Sequence, residues 1–352
     1  MSQTLAIFYD AYRGLRARKM FWIVLILSFF VVACFACLGV SDKGLTLLTW
    51  DLHVGPTATE MPPGVLYKFM FAGFGVDIWL AWIATILALI STAGIFPSFI
   101  AKGAIDLVVS RPISRLRLFL TQYAAGLLFV TLQIGAFSAA SFLVIGLRGG
   151  LWEPGLFLAV PLVVCFFSYL FSVCVLLGLL TRSTVAALLL TLLFWFLVFS
   201  VHSAETGLLA VETMAEHERH TARETVVEAH QGTRPSRTPA ASQPNVPTLG
   251  GDESDQDKTI RYLNTAHRII YGVKSALPKT TETIDLLKRA LISTAELPKA
   301  EDGSARDGHM QAAEKVGREL RSRSPWWIVG TSLAFEAVIL ALASWVFCRR
   351  DF

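Results

Sequence analysis

Six blocks of almost unbroken apolar residues dominate the chain: Phe21–Val40, Gly75–Phe96, Phe119–Leu147, Leu156–Leu180, Thr184–Val201 and Trp326–Phe347. A helix needs roughly 20 residues to cross a hydrocarbon core of about 30 Å. A soluble core helix would keep a polar stripe at every third or fourth position. These blocks do not; Leu188-Leu189-Leu190 and Phe194-Trp195-Phe196 put apolar side chains on every face. Backbone polar groups have no water to bond in lipid, so each block must be a helix. Barrel strands would alternate over about ten residues, and no such alternation is present. The pattern therefore predicts an all-α, polytopic membrane protein with six transmembrane helices.

Four regions follow. Residues 1–20 form an amphipathic surface helix, with Leu5, Phe8, Ala11, Tyr12 and Leu15 at helical spacing and Arg13, Arg16 and Arg18 elsewhere. Residues 21–201 hold helices 1 to 5, with a loop at 97–118. Residues 202–325 form an insertion outside the cytoplasm, between helices 5 and 6. Its stretch Gly232–Asp257 is rich in Pro, Ser, Thr and Gly and reads as a disordered linker. Ile260–Leu277 and Glu282–Leu297 have helical apolar spacing on either side of Pro278. Residues 326–352 are helix 6 and a tail. Ser41–Phe74 reads as a modest loop.

Basic residues set the orientation. Arg13, Arg16, Arg18 and Lys19, then Lys102, Arg111, Arg115 and Arg117, then Arg182, then Arg349 and Arg350 all fall on one side if six helices cross. Short basic loops stay in the cytoplasm. Both termini are then cytoplasmic, in a plasma or inner cell membrane. Arg318, Arg321 and Arg323 lie on the other side, at the end of a loop long enough to cross regardless of charge. Trp22, Trp79, Trp82, Trp326 and Trp327 stand where interfacial anchors belong.

Composition narrows the function. Charged residues are 16% and the net charge is only +4, which excludes a nucleic-acid coat and implies no nucleic-acid partner. Five Cys, an odd count, do not make a disulfide scaffold. Cys34 and Cys37 lie inside an apolar block and read as small hydrophobes. Gly272-Val-Lys274-Ser275 lacks the spacing of a phosphate-cradling loop. No HExxH zinc pair or GxSxG elbow is present, and His217, His220 and His230 share no clean face. The residues predict no enzyme, no metal and no cofactor.

Two carboxylates lie in spans. Asp77 is near the end of the second. Glu336 is about ten residues into the sixth, hence about 15 Å deep. A carboxylate there is costly and faces a cavity or a partner. The pattern leaves two readings of Glu336 open: a contact in a translocation path or helix seam, or a hydrogen bond to a Ser or Thr of the fourth or fifth span. Gly135, Ala136, Ala139 and Ala140 put small residues on one face of the third span, which favours close helix packing there.

The loop after the second span carries a resemblance. Gly103-Ala-Ile-Asp106-Leu107-Val-Val-Ser110-Arg111-Pro112-Ile-Ser114-Arg115 resembles the cytoplasmic signature of type-2 ABC transporter permeases, the exporter class. Leu177-Gly178-Leu-Leu-Thr181-Arg182-Ser183-Thr184-Val-Ala186-Ala187 is similar to the family's turn between spans four and five. Phe347-Cys-Arg349-Arg350-Asp351-Phe352 is similar to its basic carboxyl end. The chain departs from the family at Ala101, often Glu, at Gln122, often Lys, and in the long Ser203–Pro325 insertion. The resemblance implies a permease that docks a separate ABC ATPase subunit and pairs with a second permease chain, the same or a related one, in the lipid bilayer. It implies that Lys102, Asp106, Arg111, Pro112 and Arg115 form the ATPase-coupling surface. Two other classes fit the residues: a membrane scaffold or sensor that transports nothing, and an ion-coupled secondary transporter using Glu336.

Overall fold

The computed structural model describes residues 19–41, 44–47, 50–51, 63–97, 114–232, 277–291 and 324–349, together with Thr265, Ile270, Gly272, Lys274 and Ser275; side chains of the long 114–232 stretch are described to Val211. The amphipathic helix expected at 1–20 falls almost wholly outside the described residues.

The protein is an all-α polytopic membrane protein, with six helical stretches among the described residues long and apolar enough to span a bilayer. The first is α1, Lys19–Cys37. The second, Pro63–Pro97, is compound. It opens with α2, Pro63–Met70, continues as a π-helical segment, Phe71–Ala84, and returns to α-helix in α3, Thr85–Thr92. The third is α4, Arg115–Gly149. The fourth joins a 3₁₀ turn, Pro154–Leu158, to α5, Ala159–Thr181. The fifth belongs to α6, which runs without a break from Thr184 to Gly232. The short α7, Thr280–Leu291, precedes the sixth span, α8, Pro325–Arg349.

The second span differs from the sequence expectation. It begins at Pro63, twelve residues before Gly75, and the intervening stretch is helix instead of loop. Its polar Lys68 is accommodated by an ion pair with Glu153 at 2.8 Å. Leu38–Ser41, Gly44–Leu47 and Trp50–Asp51 form β1 to β3, a small antiparallel sheet in that order, pairing Leu38 with Leu47 and Thr46 with Asp51. Thr85, which follows the π-helical segment, donates its hydroxyl to the carbonyl of Leu80 five residues back at 2.7 Å.

Chain punctuation sets the helix ends. Ser114 caps α4, its Oγ accepting the N–H of Arg117 at 3.3 Å. Gly150 closes α4 at φ 67°, a left-handed geometry that glycine adopts without a Cβ clash. Arg182 takes the same role after α5 at φ 54°, its N–H bonded to the carbonyl of Gly178 at 3.0 Å.

The fourth span is the centre of the bundle. Of its most apolar stretch 72% is buried, against 22% for the fifth and sixth. Large aromatic side chains fill the space around it: Phe166, Phe167, Tyr169 and Phe171 of α5 with Phe119, Phe129 and Phe137 of α4, all under 2% exposed or nearly so. Tyr123 stacks on Phe171 at 5.1 Å and 11°, and Phe71 on Phe137 at 5.9 Å. The outward faces of α1, α6 and α8 stay apolar and exposed, as at Ile26, Leu193, Phe196 and Val338, which is what a lipid solvent requires.

Two compact units divide the chain. The first comprises 1–197, 278–299 and 325–352; the second comprises 198–277 and 300–324. The stretch carrying α7 is thus grouped with the spans and not with the rest of the expected 202–325 insertion. In the second unit the buried carboxylate of Glu205 is paired with the ammonium of Lys274.

Candidate functional site

On α8, Ile328, Ser332 and Glu336 recur every fourth residue, so they share one helical face. All three are buried, at 0%, 0% and 7% exposure. Glu336 lies eleven residues from Pro325, about 16 Å along the helix. Its two carboxylate oxygens have different partners. Tyr123 of α4 donates its hydroxyl to Oε1 at 2.8 Å. Ser168 of α5 donates to Oε2 at 2.7 Å. Each hydroxyl also has a backbone carbonyl in reach: that of Ser168 at 3.1 Å from Tyr123, and that of Cys165 at 2.8 Å from Ser168 Oγ. Among the described residues Glu336 meets no Lys or Arg. The hydrogen bond to a fourth-span Ser matches one of the two sequence readings. Tyr123, from the third span, was not foreseen.

Above Glu336, toward the start of α8, α7 packs among the spans. Thr280, Glu282, Thr283, Ile284, Leu286, Leu287 and Leu291 are its buried residues. The backbone N–H of Lys279 bonds to Ser332 Oγ at 2.9 Å. The Lys279 ammonium donates to Thr331 Oγ1 at 2.6 Å and lies 5.2 Å over the Trp327 ring, a cation–π placement that offsets part of its desolvation. Thr283 and Ser332 both stand beside the fully buried hydroxyl of Tyr169, which has no hydrogen bond of good geometry.

Lys288 fixes the far end of α7. It bridges Asp77 of the π-helical segment at 2.8 Å and Asp285, one turn back, at 2.9 Å. Burial pushes the Lys288 ammonium down, but the Asp285 and Asp77 carboxylates outweigh it and hold the group above its ordinary value of 10.5. A raised folded-state value means that the contribution is complete below the ordinary value and is lost as pH rises through the raised one. The three groups are a third exposed, so the pair stabilises by about 0–1 kcal/mol. The unfolding midpoint is therefore expected to fall by up to about 3 °C across that alkaline window. Lys288→Met should show no such step, and an identical step in the variant would remove the ion pair from the account.

Of the residues assigned to ATPase coupling, Lys102, Asp106, Arg111 and Pro112 lie outside the described residues. Arg115 is described. It is the first residue of α4, and its guanidinium donates to the carbonyl of Cys348 at 3.3 Å. That carbonyl is one of the last of α8, where unpaired acceptors and the helix dipole favour a cation. Beside it, Phe96 before the loop and Phe119 after it close on Phe347 of α8. The ring centroids lie 5.1 Å apart for Phe96–Phe119, 5.7 Å for Phe119–Phe347 and 6.5 Å for Phe96–Phe347. Both flanks of the 98–113 stretch thus hold the end of the sixth span.

The small-residue face expected to pack closely on α4 does so only in part. A Cβ on Gly135 would meet nothing within 4 Å and Ala136 and Ala139 are half-buried, while Ala140 packs against the core. Close approach occurs at Gly126, where a Cβ would lie 2.7 Å from the Phe171 ring, and at Gly146, 2.6 Å from Trp152. Both positions face large aromatics, and only the pairing of helices shows which glycine meets which ring.

Sequence reasoning found Glu336 through its depth alone. It missed Tyr123, Ser168 and Tyr169, because a Tyr or Ser in a span is common and carries no signal of its own. It placed Asp77 near water but had no means to pair it with Lys288, 211 residues away. Residues 58–210, under half of the chain and covering spans two to five, match the family model DUF2705, described as a protein of unknown function. No curated protein matches the chain.

Proposed function

We propose that the chain is the membrane-spanning permease subunit of an ATP-driven exporter of the type-2 ABC class, with both termini in the cytoplasm of the cell that carries it. The observation that carries this reading is the run from Gly103 to Arg115 between the second and third spans, in a chain of six spans with no nucleotide-binding loop of its own. A separate ATPase docks on that run, and a second permease chain completes the translocation unit.

The packing supports a mechanical role for this region. Phe96 and Phe119 flank the run and Arg115 ends it; Phe96 and Phe119 hold Phe347 and Arg115 holds Cys348 of α8. Displacement of the run by an ATPase would be passed to the sixth span through buried aromatic contacts, which resist compression. Lys102, Asp106, Arg111 and Pro112 would meet the ATPase, and Arg115 would tie the run to α8. None of them performs bond chemistry.

Replacing Arg111 and Arg115 together by Glu is expected to abolish the stimulation of ATPase activity in the assembled complex, with membrane insertion unchanged. Full stimulation in the double variant, or failure of any ATPase to co-purify with the wild-type chain, overturns the reading.

A further inference from the structure

We propose that Glu336 is a proton-exchange site, reached from the α7 end of the bundle along a line of hydroxyl groups that α7 covers as a lid. This does not depend on an ATPase.

Both protonation states of Glu336 are provided for by its neighbours. As a carboxylate it accepts from Tyr123 and Ser168 at 2.8 and 2.7 Å. As a carboxylic acid it has one proton to donate and needs fewer donors. One of the two hydroxyls can then turn its proton to its carbonyl, that of Ser168 for Tyr123 or that of Cys165 for Ser168, already at 3.1 and 2.8 Å. Its oxygen accepts the new proton of Glu336, while the other hydroxyl still donates to the remaining carboxyl oxygen. No group is left unpaired in either state, whereas a buried polar group that loses its partner costs about 1–3 kcal/mol in most sites. Proton uptake converts the carboxylate to the acid and nothing else; each hydroxyl on the way gives up one proton and receives another.

The groups facing Glu336 are named from each element packed on it. From α4 comes Tyr123, and from α5 come Ser168, Cys165 and Tyr169. α7 contributes Thr283; Lys279, the residue before α7, lies farther along; and α6 contributes the apolar Phe194, stacked on Phe335 at 6.1 Å. Among the described residues Lys279 is the cation of this line, at its far end, bonded to Thr331 and Ser332.

From there the hydroxyls of Thr331, Ser332 and Thr283 lead toward Tyr169, and Ser168 lies at Glu336. Thr331, Ser332 and Thr283 each donate to a carbonyl four residues back, so the line stands open. Hydroxyls both donate and accept, so they relay protons; a metal-ion path would need rings of carbonyl or carboxylate oxygens. The link at Tyr169 is unmade, its hydroxyl buried with no hydrogen bond of good geometry although Thr283 and Ser332 stand beside it. Thr283 belongs to α7, so a small movement of α7 makes or breaks the line. The ion pairs of Lys288 with Asp77 and Asp285 hold α7 in place.

Infrared difference spectroscopy on the full chain in lipid nanodiscs tests this, by following the carbonyl stretch of a protonated carboxyl group after a downward pH step. A band that vanishes in Glu336→Gln is expected. Tyr169→Phe, which removes one hydroxyl and keeps the ring, should slow its appearance by about tenfold or more, equivalent to about 1.4 kcal/mol in the barrier. Lys288→Glu should speed it by a similar factor, and Asp77→Asn serves where Lys288→Glu does not fold. No Glu336→Gln-sensitive band at any pH refutes the site. A band whose rate is the same in wild type, Tyr169→Phe and the lid variants refutes the line of hydroxyls and the lid.

Discussion

Phe119→Ala is expected to lower the unfolding free energy of the lipid-embedded chain by about 2–3 kcal/mol. Phe119 is fully buried and is the middle ring of the cluster that joins Phe96 to Phe347. In a soluble core the loss would include transfer of the ring to water. Here the separated helices stay in lipid, which is as apolar as the core, so the transfer share is small. What remains is the cavity, about 100 Å³ at about 24 cal/mol per Å³. Unfolding in a denaturing detergent titration measures it, with Phe119→Leu as the volume-conserving control at under about 1.5 kcal/mol. Equal stability of Phe119→Ala and wild type would mean that the cluster does not join the three spans.

Gly126→Val is expected to cost about 1–3 kcal/mol, and to disturb the polar site as well. The added Cβ would sit 2.7 Å from two atoms of the Phe171 ring, with Ile95 at 3.4 Å on another side. Phe171 stacks between Tyr123 and Phe167, both in the buried core, so it cannot swing away freely. Moving it shifts Tyr123, one turn from Gly126, and lengthens the hydrogen bond to Glu336. At Gly135 on the same helix a Cβ meets nothing within 4 Å, and Gly135→Val is expected to be near neutral. The comparison of the two midpoints separates packing from the intrinsic cost of a β-branched residue in a helix, which both share. Equal effects at 126 and 135 would sink the packing argument.

These two expectations rest on helix pairing, and that level was only partly legible beforehand. The apolar blocks reveal the spans because lipid makes a local demand: each backbone N–H must find a carbonyl within its own helix. The second span shows where a local reading fails. Lys68 interrupts the apolar pattern, and the Glu153 carboxylate from the start of the fourth span helps make it tolerable. The helix in Glu282–Leu297 was readable from Ile284, Leu287 and Leu291, and it appears as Thr280–Leu291. Its place among the spans was not readable, since the same spacing would suit a helix lying on any apolar surface.

Glu336 marks the boundary between the two kinds of information. A carboxylate deep in an apolar block states its own cost, so one sequence suffices to single it out. What relieves that cost is Tyr123, 213 positions away, and Ser168, 168 positions away. The sequence by itself determined the six spans and the depth of this one acid, because solvation by lipid acts residue by residue. Only the tertiary structure decided that α7 enters the bundle, that Gly126 and not Gly135 meets an aromatic ring, and that Glu336 faces two hydroxyls. Those outcomes follow from which helix faces interlock, a property of side-chain shapes brought together from distant parts of the chain.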